Sequence, residues 1–479
     1  MIRKLCVNFV RCGKNFTVNF LLCCCDCISS EPRELAPTCT ENFSARLNSS
    51  FHSAFMPRIA SLHAAGSRAA ETMAEQIRAL DRPVHSLFWI ANSKRPQDIA
   101  SALERVAPCS VGGSTLSGLI GGGAEYFATQ QEDRLVAAAI TLPDDAHATA
   151  FHSSADGLPD FSEDEWEQFA SATPRESPNL MLLASPPRNA SFPLESWLSR
   201  LDSMLPWACK VGGLVGGGDG RLYVGGAEHN GGAVGVALSG RVQMDALVCQ
   251  GATPVGPSYR ITHMEAGSLV RELDGLDVST ALRPALEEWE AAGGEGSLMA
   301  GISVDPTARA ARRPDEEHDG GGGRGGGERG GGGSGLSRHE ASYVVRQITG
   351  YFPKESAIAI GASADLLEAP GGEVRLQLHA YSARNARTEL SARAAALRAA
   401  APETVSHHGG LIVSCAGRGE ALYGEAGVET AALREELGAE TALAGWFANG
   451  EIGPVGRRSV VHTFTTTVAL LRSREAEQA

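Results

Sequence analysis

The chain has 479 residues, long enough for two medium domains with segments to spare, and its 43% apolar content is ordinary for globular protein. A net charge of −14 speaks against general nucleic-acid binding, because no compact basic run offsets phosphate repulsion. Seven of the eleven cysteines precede residue 40. The others (Cys109, Cys209, Cys249 and Cys415) sit in apolar contexts, which reads as free thiols and not as a disulfide framework.

Residues 1–80 read as a leader outside the fold. Up to Ser30 they carry Arg3, Lys4, Arg11 and Lys14 against Asp26 alone. The apolar run Val18–Cys25 falls well short of the ~20 residues a membrane span needs, so no transmembrane segment is expected. The acid-poor start resembles an organellar transit peptide, which places the protein in a chloroplast or mitochondrion, with the cytoplasm as the alternative. Two other readings stand beside it: palmitoylation of the Cys23–Cys27 cluster, and an over-extended start ahead of Met56. Cys24 and Cys27 form a CxxC without a second pair at zinc spacing, so no metal or cofactor is expected.

From His85 the pattern becomes regular. His85–Ala91 reads as a strand, Pro96–Val106 as a helix, and Arg134–Leu142 as a strand. Leu180–Ala184 reads as a strand, Pro193–Leu205 as an amphipathic helix and Ala208–Gly218 as a glycine-rich strand end. Gly232–Leu238 and Val242–Cys249 read as a hairpin around Ser239-Gly240. Thr280–Ala292 is helix-like, Leu298–Val304 a strand, and Asp274-Gly275 a turn. Twelve of the sixteen residues Gly320–Gly335 are glycine, so 307–336 reads as a disordered insertion that cannot bury enough apolar surface to order itself. Tyr343–Thr349, Ala357–Gly361 and Glu373–Tyr381 read as strands and Ala383–Ala399 as a helix. Ser459–Thr467 reads as a final strand. Three stretches share one order of strand, helix, then a strand running into glycines: Leu87–Gly123, Leu180–Gly218 and Leu411–Gly456. That order is the mark of an internal repeat.

Motifs for familiar chemistries are missing. There is no GxxxxGK[ST], HExxH or SxxK, and Gly112-Gly113-Ser114-Thr115-Leu116 lacks the closing glycine of a nucleophile elbow. The residues left for ligand binding lie at strand ends. Cys415 beside Arg418, with His462 downstream, is the one nucleophile candidate, since a neighbouring arginine favours a thiolate; a core cysteine closing a strand is the simpler reading. Arg418 and Glu451 sit among glycines, either paired with each other or meeting a ligand. Asn449 flanks Glu451. His379 and Arg384 bracket a strand-to-helix junction suited to an anion. Gly112, Gly113, Ser114, Gly212 and Gly213 either cradle an anion or make tight turns. His407-His408 reads as solvated.

Taken together, VGGSTLSGLIGGGAE, KVGGLVGGG, GGAVGVALSG, CQGATPVGP, VRELDG, VRQITGY, SCAGRGEALYG, LAGWFANGEIGPVG and HTFT resemble the FIST family, in which a FIST N domain precedes a FIST C domain. The resemblance spans about Leu87 to Leu471. It implies an α/β (mixed α+β) protein of two related sheet-and-helix domains, 85–252 and 253–471, followed by a tail at 472–479. It implies a non-enzymatic sensory module for signal transduction that binds a small ligand of the amino-acid or carboxylate class. The alternative is a protein-interaction scaffold, as in eukaryotic relatives that join an F-box to the FIST region for ubiquitin-ligase recruitment. Residues 1–80 show no F-box. One departure stands out: where relatives carry an Arg-Asp pair, this chain has Tyr381-Ser382.

Overall fold

The apolar-strand, helix, glycine-strand stretches fold as three parallel strand pairs, each crossed by a helix. The computed structural model describes residues 7–12, 15–20, 56–127, 133–154, 157–186, 192–216, 220–303, 343–361, 373–400 and 407–474. Within the first 54 residues, Val7–Cys12 (β1) and Asn15–Phe20 (β2) pair as an antiparallel hairpin. The Cys23–Cys27 cluster and the glycine insertion 307–336 lie outside the described residues.

The chain from residue 55 onward is one compact unit built on three repeats. The first runs Arg58–Ala65 (β3), Ala69–Arg78 (α1), Ser86–Asn92 (β4), Pro96–Glu104 (α2), Ser110–Ser114 (β5), the hairpin Leu119–Gly121 (β6) and Ala124–Tyr126 (β7), and Arg134–Thr141 (β8). The second follows the same order: Ala146–Ser153 (β9), Glu163–Ser171 (α3), Asn179–Ala184 (β10), Leu194–Met204 (α4), Cys209–Leu214 (β11), the hairpin Leu222–Val224 (β12) and Ala227–His229 (β13), and Ala233–Gly240 (β14).

The third repeat opens with Val242–Cys249 (β15) and is then interrupted. The interruption contains Ala252–Glu265 (β16), Leu269–Leu273 (β17), Leu276–Asp277 (β18), Val278–Ala291 (α5), Ser297–Ser303 (β19), Tyr343–Phe352 (β20), Ala357–Ile360 (β21) and Arg375–Tyr381 (β22). The repeat resumes with Ala383–Ala400 (α6), Gly410–Cys415 (β23), Glu420–Tyr423 (α7), Val428–Leu437 (α8) and Leu443–Ala448 (β24). It closes with the hairpin Glu451–Val455 (β25) and Arg458–His462 (β26), and with Thr466–Ser473 (β27).

Local chemistry sets these elements. Ser162 and Glu165 form a reciprocal capping box that starts α3, and Pro96 opens α2 where its missing N–H costs nothing. Asp274 and Gly275, both at positive φ, make the two-residue turn between β17 and β18.

Three six-stranded sheets result, ordered β13-β12-β5-β4-β8-β3, β26-β25-β11-β10-β14-β9 and β7-β6-β24-β23-β27-β15. In each, two strands of a hairpin come first, and that hairpin belongs to another repeat. The second repeat lends β12–β13 to β5, the third lends β25–β26 to β11, and the first lends β6–β7 to β24. The exchange closes into a ring. One face of every sheet contributes to a shared centre that includes Phe88, Ile90, Met181, Leu183, Val413 and Trp446. The outer faces are covered by each repeat's own helices. Each aliphatic or aromatic side chain fully buried in this way contributes about 1.5–3 kcal/mol. The glycines after the strands make the fit between sheets. A Cβ on Gly212 would lie 1.9 Å from the Leu182 carbonyl oxygen, so only glycine lets β11 approach β10 that closely.

The interruption is a seven-stranded sheet ordered β16-β22-β19-β20-β21-β17-β18. Because β16 also pairs with β17, across a register shift, the sheet closes on itself. Helix α5 buries Val278, Ala281, Leu282 and Ala285 in its core.

Several sequence expectations are corrected. Residues 58–78 are not leader: β3 pairs with β8 along its length, and α1 buries Met73 and Ile77. Strands β14 and β15 do not form a hairpin. Gly240 continues β14 opposite Ala146, and β15 crosses into another sheet to pair with β27. Ser459–Thr467 is likewise divided, between β26 and β27. The chain does leave the three-sheet body near residue 252, but residues 407–473 return to it, so the body is discontinuous in sequence. His407 is bonded to Asp245 at 3.0 Å, with its side chain 5% exposed.

Candidate functional site

The C-terminal ends of β23 and β24, where ligands gather in parallel α/β units, face the inserted sheet. After Cys415 the chain turns sharply, the Arg418 N–H bonding the Cys415 carbonyl at 2.8 Å, and Gly419 has φ 58°. The turn folds Arg418 back inside, where it is 0% exposed. Its Nε reaches Glu429 Oε1 at 2.6 Å, and its other nitrogens donate to the Phe464 carbonyl (3.0 Å), Tyr423 Oη (3.0 Å) and the Cys249 carbonyl (3.4 Å). The partner of Arg418 is therefore Glu429 of α8, not Glu451. Burial works against the Glu429 charge, but Arg418 with the Ser414 and Thr466 hydroxyls outweighs it and holds the carboxyl below its ordinary range. Arg418 stays charged for the reciprocal reason.

Glu451 is also 0% exposed, and its register partner on β11 is Gly213. One carboxyl oxygen, Oε2, accepts the Thr465 N–H at 3.2 Å, while Oε1 is buried without a partner. Burial pushes this carboxyl well above its usual range, and the Thr465 bond and Arg418 do not offset it. The Cys415 thiol lies beside it and is itself pushed up to about 12, first by burial and then by Glu451. Cys415 is thus a protonated thiol, contrary to the thiolate its neighbour Arg418 suggested. Tyr381 completes the group. Its ring meets Phe464 edge-on with centroids 5.6 Å apart, its hydroxyl is buried without a partner, and burial raises it to about 12.

The remaining expected site residues are scattered. Gly212 lies beside Gly213 under Glu451, but both are interior strand positions packed by Leu182 and Val413. Gly112 and Gly113 sit mid-strand in β5 against Trp89 and against Leu183 and Val215, with Ser114 at the strand's end. The two glycines fill close contacts between packed strands. Asn449 is exposed in the turn after β24. Arg384 is on the surface in an ion pair with Glu295 at 3.5 Å. His379 is buried on β22, where burial lowers it to about 4 despite its contact with the Gln377 carbonyl. His462 faces Glu451 across β25–β26 and bonds the Gly453 carbonyl at 3.3 Å; burial and Arg346 bring it down to about 3.

Arg346 escaped notice within VRQITGY. It is buried on β20, bonded to the Val345 and Val461 carbonyls, and no carboxylate among the described residues is within ion-pair distance. Two surface hollows, of about 360 and 410 Å³, lie elsewhere, around Arg260–Met264 and around Arg58, Arg82 and His408. Among the described residues no cluster of His, Cys, Asp and Glu could hold a metal ion, and no helix is long and apolar enough to cross a membrane.

Fold and junction together define a mixed α+β protein of repeated strand–helix–strand units, with a buried polar centre where the third unit meets an inserted sheet. The chain belongs to the FIST family: residues 86–276 match the FIST N domain and residues 331–454 the FIST C domain. FIST domains are associated with signal transduction and sensory roles. Its relatives include an uncharacterized protein of Mycobacterium tuberculosis (strain ATCC 25618 / H37Rv), 28% identical over 291 residues, covering 58% of this chain and 65% of the relative. An uncharacterized protein of Mycobacterium bovis is 30% identical over 287 residues, covering 58% of this chain and 64% of that protein. The chain thus spans just under two thirds of the length of these curated relatives.

Proposed function

We propose that this protein is a sensory module that binds a small polar ligand, of the amino-acid or carboxylate class, without transforming it. The binding place is the junction of Cys415, Tyr381 and Glu451. The observation that carries this reading is the pair of buried, unpartnered polar groups, Glu451 Oε1 and the Tyr381 hydroxyl, near enough for the charge of one to be felt at the other. Folded proteins satisfy nearly all such groups, and a ligand is a natural way to satisfy these. A protonated Cys415 is a poor nucleophile, which favours recognition over covalent chemistry.

A thermal-shift screen of the full chain against amino acids and small carboxylates tests the reading. A ligand at about 100 times its Kd adds about 2.7 kcal/mol, an easily read shift. No shift from any member of the panel would sink it. A scaffold reading has one observation in its favour: Leu276, Tyr351 and Phe352 are 51%, 49% and 44% exposed on the inserted sheet. A stoichiometric partner lost on Tyr351→Ser/Phe352→Ser replacement would support that alternative.

A further inference from the structure

The unsatisfied groups at the junction have one character. Glu451 Oε2 is occupied by the Thr465 N–H, so a proton carried by this carboxyl sits on Oε1, the oxygen without a partner. Tyr381 adds a second buried hydroxyl donor without an acceptor, and Thr463 a third hydroxyl in the same state. The Cys415 sulfur accepts from the backbone N–H groups of Gly417 and Phe464, and its S–H donates to the Glu451 carboxyl. Arg346 is a buried cation with no carboxylate at ion-pair distance among the described residues, feeling Glu195 and Glu451 only at longer range, while Arg418 is neutralised by Glu429. Against these donors stands one kind of acceptor, His462 Nδ1, left bare because the ring donates through Nε2 to the Gly453 carbonyl, so among the described residues donors outnumber acceptors at the place.

The exposed chain nearest to these groups is Ala416-Gly417, with the partly exposed Thr463 and Phe464. Phe464 has φ 57°, a left-handed conformation that a bulky side chain adopts only when its surroundings hold it there. Its ring lies between Gly417 and Tyr381, on the solvent side of the buried groups.

Building on the sensory reading above, we infer that the ligand is a carboxylate, whose oxygens accept hydrogen bonds from the Glu451 carboxylic acid and the Tyr381 hydroxyl in the field of Arg346. A carboxyl group kept neutral by apolar surroundings serves as a donor in this way, and hydrogen bonds to an ionised acceptor are the strong ones. No covalent step is involved. The groups facing Glu451 are Cys415, Arg418, Glu429, Arg346, His462 and Tyr381. Two are fixed cations, Glu429 is held ionised by Arg418, and the other three are neutral, so the titration that matters is that of Glu451 itself. Ionised, Glu451 repels the ligand; the affinity therefore falls as pH rises.

The test uses the full chain with butyrate, butyramide and butylamine as probes, followed by titration calorimetry or thermal shift. Butyrate is expected to bind at least about tenfold more tightly than the amide, and the amine not at all. Butyrate affinity should fall as pH rises beyond the ordinary carboxylate range in the unaltered protein and stay level in Glu451→Gln, which keeps a neutral donor. Tyr381→Phe, which removes only an unpartnered oxygen, should weaken butyrate by about tenfold at every pH. Equal binding of amide or amine, or the same pH profile in Glu451→Gln, would overturn the inference while leaving a small-ligand sensor standing. Binding of none of the three would overturn the inference as well, and the sensory reading would fall with it only if the amino-acid and carboxylate panel also gave no shift.

Discussion

Replacing Arg418 by methionine removes the charge at the junction while keeping most of the side-chain volume. The guanidinium makes one ion pair and three further hydrogen bonds in a fully buried setting. Without it, Glu429 keeps only the hydroxyls of Ser414, Tyr423 and Thr466. Stranding one member of a buried pair costs about 3–5 kcal/mol, against a total margin of about 5–15 kcal/mol for a typical domain. Glu429→Gln strands Arg418 and should cost a similar amount. The double variant buries neither charge, so it should be less destabilised than the two losses summed, with a coupling of about 2–3 kcal/mol. Urea denaturation of the four proteins at neutral pH measures this. Acid gives an independent sign: the Glu429 folded-state pKa is depressed, so its stabilisation is present above the unfolded value of 4.5 and is lost as pH falls through the folded value. The gap between the unaltered protein and Glu429→Gln should therefore narrow below about pH 4.5. Strictly additive losses, or an Arg418→Met loss under about 1 kcal/mol, would show that the pair does not hold the junction.

Glu451 should behave in the opposite sense. Its folded-state pKa is raised, so the stability it contributes is full below the unfolded value of 4.5 and drains away as pH rises, at about 1.4 kcal/mol per unit until it ionises. Glu451→Gln should gain melting temperature relative to the unaltered protein as pH rises above 4.5; a constant difference would contradict this. Gly212→Ala places a methyl 1.9 Å from the Leu182 carbonyl oxygen and should cost about 3 kcal/mol or more, read by denaturation. A chain shortened to begin after residue 80 loses β3 and exposes the edge of β8, so it should aggregate on expression; a soluble monomer with unchanged circular dichroism would refute this.

The parallel pairs were legible because Leu87–Ala91, Leu180–Ala184 and Leu411–Cys415 are continuous apolar runs followed by helical periodicity and glycines. The repeat's first strand was not. Arg58–Ala65 alternates only weakly, and its apolar face appears only once β8 lies beside it. Ser239-Gly240 carried a true turn signal, but sheet membership is set by distant partners, Ala146 on one side and Ser473 on the other. At the junction, the reading singled out Arg418 and Glu451 from charge placed among glycines, and both are buried there. Of the two roles the sequence left open for them, the mutual pair does not form, because the tight turn aims Arg418 at Glu429 in the first turn of α8, and nothing local distinguishes Glu429 from a solvated helix residue. Tyr381 was noticed only as a departure from relatives, and the structure places it in the same group.

The ring of lent hairpins has a consequence for synthesis. Strand β11 has no neighbour on its outer side until Glu451–Val455 exists, and at about 5–20 residues per second the stretch between Leu214 and Glu451 takes on the order of ten to fifty seconds to make. For that interval the first two repeats wait with an unpaired edge, the kind that recruits strands from other chains. Residues 451–462 thus seal an edge laid down more than two hundred residues earlier, so a ribosome stalling ahead of them would release a sticky product and not a merely shortened one.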